Sequence, residues 1–360
     1  MKPTLGLNSQ LQTEFGNYQI ETSAIPLLAR VVCKVFREGK VIDLTEADYD
    51  PEISEQPLLS LVQSIHTGKF EELESLFRIG AEVMREARAD FYNKLGLLFV
   101  RRGLLDEAAT VFLKGLEMDK KFIGLYGNLG KLYALRHEWE RSLAIYGQGL
   151  SIDPNQVEFH YERAVAYEKL GRTAEAEAEL KKALAIKRDW AKAQLELAVV
   201  VLRHSPSSAL RLLRASQEDP RYRSPLVADA LGLIEAGQVE EAGKLLGEFR
   251  QTLDDEAVSY LSEEFDLLIR YADPQKKPFI IESYIEQIRT KLAQNPDQAD
   301  LHHELGKIYL LAIKSYWDRG INEFKRALAL DPTITPAKQN LELAQYELKG
   351  FLLFLRGLSK

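Results

Sequence analysis

Cysteine is almost missing from this chain of 360 residues, with Cys33 the single example. One thiol rules out an intramolecular disulfide, so the fold needs no oxidising compartment. A basic excess is missing too. The formal net charge is −7, whereas a nucleic-acid surface calls for a basic stripe. No stretch reaches the roughly 18 apolar residues that a membrane-spanning helix needs. The opening "MKPTLGLNSQLQTEFGNYQIETS" lacks the continuous apolar core of a secretory signal. These absences predict a soluble, cytoplasmic protein with no nucleic-acid partner and no membrane span.

Groups that do chemistry are equally scarce. There are six histidines, and no GxSxG, HExxH or CxxC. His302-His303-Glu304 is a local cluster, but adjacent histidines point to different sides of a helix and make a poor metal site. "GLYGNLG" (124–130) has the spacing GxxGxxG, follows no strand and lies within a helical pattern, so it fails as a phosphate loop. Paired acids such as Glu240-Glu241 and Glu263-Glu264 belong on solvated helix faces. The expectation is no metal, no cofactor and no catalysis.

What is present is repetition. Slid by 34 residues, Leu95-Gly96 meets Leu129-Gly130, Phe99 meets Tyr133, Phe112 meets Tyr146, and Gly115 meets Gly149. A second step of 34 brings Tyr133 to Tyr167, Ser142 to Ala176 and Gly149 to Ala183. Each unit holds two stretches with apolar residues three and four apart, the period of an amphipathic helix. Gly103 and Gly171 fall in the break between them, where glycine relieves a turn. Gly96, Gly130, Ala164, Ala108 and Ala176 fall where two helices approach closely, beside aromatic residues that fill the gaps. Pro154 closes one unit, because proline disfavours helical geometry in the residue before it. Leu95, Phe112, Tyr133, Tyr146, Tyr167 and Phe324 therefore read as core.

This pattern resembles the tetratricopeptide repeat, a helix-turn-helix unit of about 34 residues. The resemblance is clearest over 89–190, three regular units, and returns at 299–334 with Leu305, Gly306, Tyr309, Phe324, Ala327 and Pro332. That last unit carries two extra residues between its helices. Residues 51–88 resemble a degenerate first helical pair, and 191–298 degenerate units that keep Gly237 and Ala242. Residues 335–360 read as a closing helix with an apolar tail, "GFLLFLRGLSK". The fold class implied is all-α, a right-handed superhelix (α-solenoid), with a small N-terminal β element over 1–50.

In that element "YQIET" (18–22) alternates, and "ARVVCKVF" (29–36) is joined to "VIDL" (41–44) through Glu38-Gly39. This predicts a hairpin preceded by a third strand, with Cys33 a small buried residue. The segment serves either as a cap for the first helices or as a docking or dimerisation module with a usable edge strand. It and the apolar tail, which packs on the last unit or anchors elsewhere, are the two candidate surfaces for self-association.

What the resemblance implies about function is a groove lined by the first helix of each unit, binding a peptide or helix of a partner protein. Its positions here are Asp90, Asn93, Leu97 and Val100; Gly124, Gly127, Lys131 and Ala134; and Glu158, Tyr161, Val165 and Glu168. This is a mixed surface with apolar side chains at its centre. One subclass of the family grips a C-terminal carboxylate with Lys, Asn and Arg. Asn128 matches one Asn of that set, but Asn93, Leu97, Glu158 and Glu162 depart from it, and two acids would repel a carboxylate. Gly124 and Gly127 each cost roughly 1 kcal/mol relative to alanine within a helix. They either leave a notch, walled by Leu97 and Tyr161, for an apolar side chain, or permit close packing against the preceding unit. The function expected is a non-enzymatic scaffold or adaptor. The alternative is a regulatory or assembly factor (secretion, pilus or envelope complex) that holds a catalytic partner.

Overall fold

The computed structural model describes residues 5–253, 261–273, 275–294, 296 and 298–344. The N-terminal residues form four antiparallel strands in sequential order: β1 (Gly6–Thr13), β2 (Gly16–Ile25), β3 (Arg30–Arg37) and β4 (Lys40–Asp48). Glu38 and Gly39, between β3 and β4, both have positive φ, 50° and 77°. That is the turn geometry that matches strand twist in a two-residue hairpin. The sheet has four strands rather than three because β1, "GLNSQLQT", also pairs. Its Leu7, Ser9, Leu11 and Thr13 alternate with small and amide residues, a weak apolar signal that hides the period of two.

One face of the sheet is covered by α1 (Glu55–Glu86). Ala24 and Val31 pack with Leu58 and Val62, and Leu5, Leu7 and Ile65 lie beside them. Tyr18 stacks on Phe77 with centroids 4.5 Å apart. Cys33 is buried, and burial pushes its thiol pKa up. Residues 51–88, expected as a helical pair, thus hold one continuous helix of 32 residues, Glu55–Glu86. Gly68 stays helical, with open space where a Cβ would sit. Lys69 ties the middle of the helix to Asp43 and Glu72, each at 2.9 Å. The sheet buries the first half of the apolar stripe, so no second helix has to fold back over it.

Five helix pairs follow: α2 (Ala89–Arg101) with α3 (Leu105–Met118), α4 (Ile123–Leu135) with α5 (Trp139–Ile152), and α6 (Val157–Lys169) with α7 (Thr173–Ile186). Then come α8 (Ala191–Val201) with α9 (Pro206–Ser216), and α10 (Pro225–Glu235) with α11 (Val239–Thr252). Each packs on its neighbours in sequence, as an α-solenoid does. The small positions are interlocks. A methyl on Gly130 would lie 2.5 Å from the Tyr146 ring, and one on Gly96 would overlap Phe112. Ser142, fully buried, donates its hydroxyl to Gly130 O at 2.9 Å. Leu95, Phe112 and Tyr146 are core. Tyr133 and Tyr167 are only half-buried. Their rings lie at the rim, where the Arg141 and Arg172 guanidinium groups sit 5.7 and 4.6 Å from the centroids.

The described residues divide into two compact units. One holds 87–100 and 104–256; the other holds the sheet, α1, 101–103 and the residues from 257 onward. In the second unit α12 (Leu261–Tyr271), α13 (Lys277–Gln294) and α14 (Ala299–Leu330) surround Phe265, Ile281, Ile288, Leu301 and Ile308. The Tyr271 hydroxyl donates to Glu86 of α1. Here too an expected pair is a single helix, because α14 runs through Gly320 without a left-handed residue or a proline to turn it. Phe324 is half-buried, so it is not the core residue that the repeat pattern implied, and Tyr309 is exposed. A further helix starts at residue 335 and is described as far as 344. The apolar tail 350–360 lies outside the described residues.

Candidate functional site

The groove positions lie on α2, α4 and α6, where a spacing of three and four places them on one helix face. On α2 and α4 the link is an amide pair. Asn128 donates its Nδ2 to Asn93 Oδ1 at 2.7 Å, and Asn93 is buried beneath it. Leu97 is buried as well, while Val100, Lys131 and Ala134 are half-buried and Gly124 is exposed. Asp90, at the start of α2, is held by Arg88 Nη2 at 2.6 Å.

The same step of 35 residues recurs two units on. The Tyr161 hydroxyl reaches Glu196 Oε1 on α8, at 3.5 Å. Tyr161 is buried, and that burial, with Glu196 beside it, pushes the phenol pKa up. The intermediate step would join Gly127 to Glu162, and Gly127 brings no side chain to it. Glu158 is exposed at the start of α6, and Val165 packs against the core.

Glu168 is not an open groove residue. Arg250, near the end of α11, donates Nη1 and Nη2 to its two carboxylate oxygens, both at 3.1 Å. Arg250 Nη2 also lies 2.8 Å from Glu196 Oε2. Burial works against the arginine's charge, but the bonds to Glu168 and the charge of Glu196 outweigh it and raise its pKa. Burial raises the pKa of the Glu196 carboxyl, and Arg250 offsets that only in part. One guanidinium thus serves two carboxylates, one of them buried.

Phenylalanine rings stand beside the two glycines of the expected notch between Leu97 and Tyr161. A methyl on Gly127 would meet Phe159 ring carbons at 3.1 and 3.5 Å, and one on Gly124 would meet Phe122 at 2.9 Å. Phe159 belongs to the following unit, α6, and the Asn93 amide nitrogen also lies 3.9 Å from the Gly124 position. Leu97 and Tyr161 are both buried.

Sequence reasoning missed Glu196 and Arg250. Glu196 stands one repeat beyond Glu162 and could have been found by extending the register through the weak unit. Arg250 lies 82 residues from Glu168 on a second helix, where no repeat rule places a groove contact. Among the described residues no group of three His, Cys, Asp or Glu side chains is placed to hold a metal ion. No helix among them is long and apolar enough to cross a membrane. What the α2–α4 face offers is hydrogen bonding by side-chain amides and flanking apolar surface.

Two tetratricopeptide-repeat models match the chain, one over residues 89–122 and one over 135–198. No curated protein sequence matches it. Among solved structures it is similar to YrrB, described as a tetratricopeptide-repeat protein with an unusual peptide-binding site. There the identity is 16%, the match covers 49% of this chain and 93% of that one, and the TM-score is 0.39. It is similar to MamA from Desulfovibrio magneticus RS-1 at 17% identity, covering 46% and 97%, with a TM-score of 0.38. The third is pilF of Pseudomonas aeruginosa, at 21% identity, covering 61% and 96%, with a TM-score of 0.37. The matched models and the stacked helix pairs thus place tetratricopeptide repeats at residues 89–122 and 135–198.

Proposed function

We propose that the protein is a non-enzymatic scaffold whose α2, α4 and α6 face binds an extended peptide or a helix of a partner protein. The coarser statement, a protein–protein interaction scaffold, follows from the repeats themselves. The observation that carries the finer one is the Asn93–Asn128 amide pair beside Lys131. The pair uses one donor and one acceptor of two side chains that together carry more. The remaining amide groups suit a main-chain N–H or C=O, and the neighbouring apolar surface suits alternate side chains of a bound segment. Arg250 bonds Glu168 and pairs with Glu196, so the binding surface centres on α2 and α4 rather than on the far end of α6.

A photo-crosslinking residue placed at Lys131 or Gly124, compared with one at Leu113 or Glu140 on the second helices, tests this in cells. The expected result is a defined adduct from the first two positions and none from the others. Equal labelling from both sets would defeat the reading. Asn128→Ala should weaken capture of that adduct's partner by more than its loss of stability accounts for, as melting of the same variant measures.

A further inference from the structure

The two edges of the N-terminal sheet are built differently. At β4 the strand carries Lys40, Asp43, Glu46 and Asp48, and Ile42 is an extra residue that shifts the register against β3. A Cβ on Gly103 would lie 3.3 Å from Ile42 O, so the α2–α3 turn covers that backbone. Charge, a bulge and a covering segment are the usual protections of a sheet edge. At β1 none of them is present. Its eight residues carry no charge and no proline, and its register with β2 runs unbroken from Gly6 to Thr13.

The register says which groups are open. Ala24 N–H bonds Leu5 O, so by antiparallel alternation Leu7, Ser9, Leu11 and Thr13 turn their backbone toward β2. Gly6, Asn8, Gln10 and Gln12 turn theirs outward. Among the described residues no backbone hydrogen bond reaches those outward groups. The same alternation sends Leu7 and Ser9 toward α1, where Ser9 Oγ sits 2.8 Å from His66 Nε2.

We infer that β1 pairs antiparallel with β1 of a second copy of this chain, joining two four-stranded sheets across a two-fold axis at Ser9. The strand is self-complementary in that register. Gly6 faces Gln12 and Asn8 faces Gln10 of the other copy, so all four outward residues meet outward residues. On the α1 face Leu7 lies opposite Leu11, and Ser9 opposite Ser9. On the other face amide lies opposite amide. No like charges meet, which is the usual bar to pairing identical strands. An isologous contact of this kind closes on itself as a dimer and leaves no growing edge, because both β4 edges are protected.

Sedimentation and light scattering of the full chain over a concentration series test this, with three variants. Wild type is expected to show a monomer–dimer equilibrium. Gln10→Pro removes an N–H that the β1–β2 ladder does not use, and proline is tolerated at such an edge position. It should weaken dimerisation by at least about tenfold while the circular-dichroism spectrum and melting stay the same. Asn8→Lys with Gln10→Lys should be monomeric, as should Asn8→Glu with Gln10→Glu. Mixed together, the basic and acidic chains should recover a heterodimer. A wild type that stays monomeric at every concentration overturns the inference. So does a dimer that survives Gln10→Pro and both charged variants, since another surface would then hold it.

Discussion

Gly96 and Gly68 show how differently the repeats and the N-terminal region use one residue type. Gly96 is fully enclosed, and the Phe112 ring takes the volume a side chain would need. Gly68 sits in the middle of α1 with nothing within 4 Å of where its Cβ would be. In the repeats each helix buries its stripe against the next, so small residues are required wherever an aromatic ring crosses. In the N-terminal region the sheet supplies a broad surface to one long helix, and no such interlock is needed. A glycine in a helix pattern therefore marks a close contact only where a bulky side chain stands opposite it.

The largest effect expected is at the one described tie in the repeats that skips neighbouring pairs. Arg250→Ala leaves Glu196 buried and Glu168 without its bidentate partner, and breaking a buried pair from one side typically costs roughly 3–5 kcal/mol. Denaturant unfolding should show that loss near neutral pH. Its sign with pH follows from burial, which holds the Glu196 carboxyl above its ordinary range. The folded chain then takes up this proton at a higher pH than the unfolded chain does. The penalty is full above the folded pKa and shrinks as pH falls toward the unfolded value of about 4.3. Losing the guanidinium raises the folded pKa further, so the gap between variant and wild type should narrow on mild acidification. Adding Glu196→Gln to the variant should recover part of the loss at neutral pH. If Arg250→Ala unfolds like wild type, the repeats are held by neighbour contacts alone.

Next in size is the glycine comparison itself. Gly96→Ala forces a methyl into the Phe112 ring and should cost about 1–3 kcal/mol, the usual range for overpacking. Gly68→Ala fills open space and removes the conformational freedom of a helical glycine, so it should stabilise by up to about 1 kcal/mol. The two changes are chemically identical and should have opposite signs in thermal melts. Matching signs would mean that the sheet-backed helix and the repeats pack alike.

The helix pairs of 89–190 were legible because each contact recurs at a fixed step. Leu95, Phe112 and Tyr146 fill the same place in successive units, and the turn glycines punctuate them. The long helices α1 and α14 were not legible in the same way. Both have apolar residues three and four apart and a mid-segment glycine, the pattern of a helix pair. What decides between a turn and a continuous helix is whether that glycine goes left-handed. Gly103, Gly171 and Gly237 do, while Gly68 and Gly320 do not. That the proposed groove positions of α2 and α4 share a helix face was readable from register, but the capture of Glu168 by Arg250 depends on how far α11 reaches across other pairs, which periodicity does not encode. The strand β1 was missed because Ser9 and Thr13 contribute through hydrogen bonds and edge packing rather than through apolar character.

The smallest effect expected concerns the one repeat turn among these that lacks glycine. His137 stands 34 residues after Gly103 and 34 before Gly171, and it adopts the same left-handed backbone with φ of 58°. A non-glycine residue pays roughly 1–2 kcal/mol for that conformation. Two terms reduce what His137→Gly can recover. Glycine brings extra freedom to the unfolded chain, and the ring contact with Trp139, centroids 5.6 Å apart, is lost. His137 is exposed, so that contact is worth little. The net expectation is a gain of about 0.5–1 kcal/mol, given what replacing a strained residue at such a site returns. For a unit of this size that is a rise of about 2–4 °C per kcal/mol in the melting midpoint. Gly171→His should lower the midpoint by a similar amount. A His137→Gly chain that melts below wild type would mean that the histidine ring does more at this turn than strain it. The second repeat would then differ from its neighbours by design of its surface, with Trp139 and His137 acting as a pair.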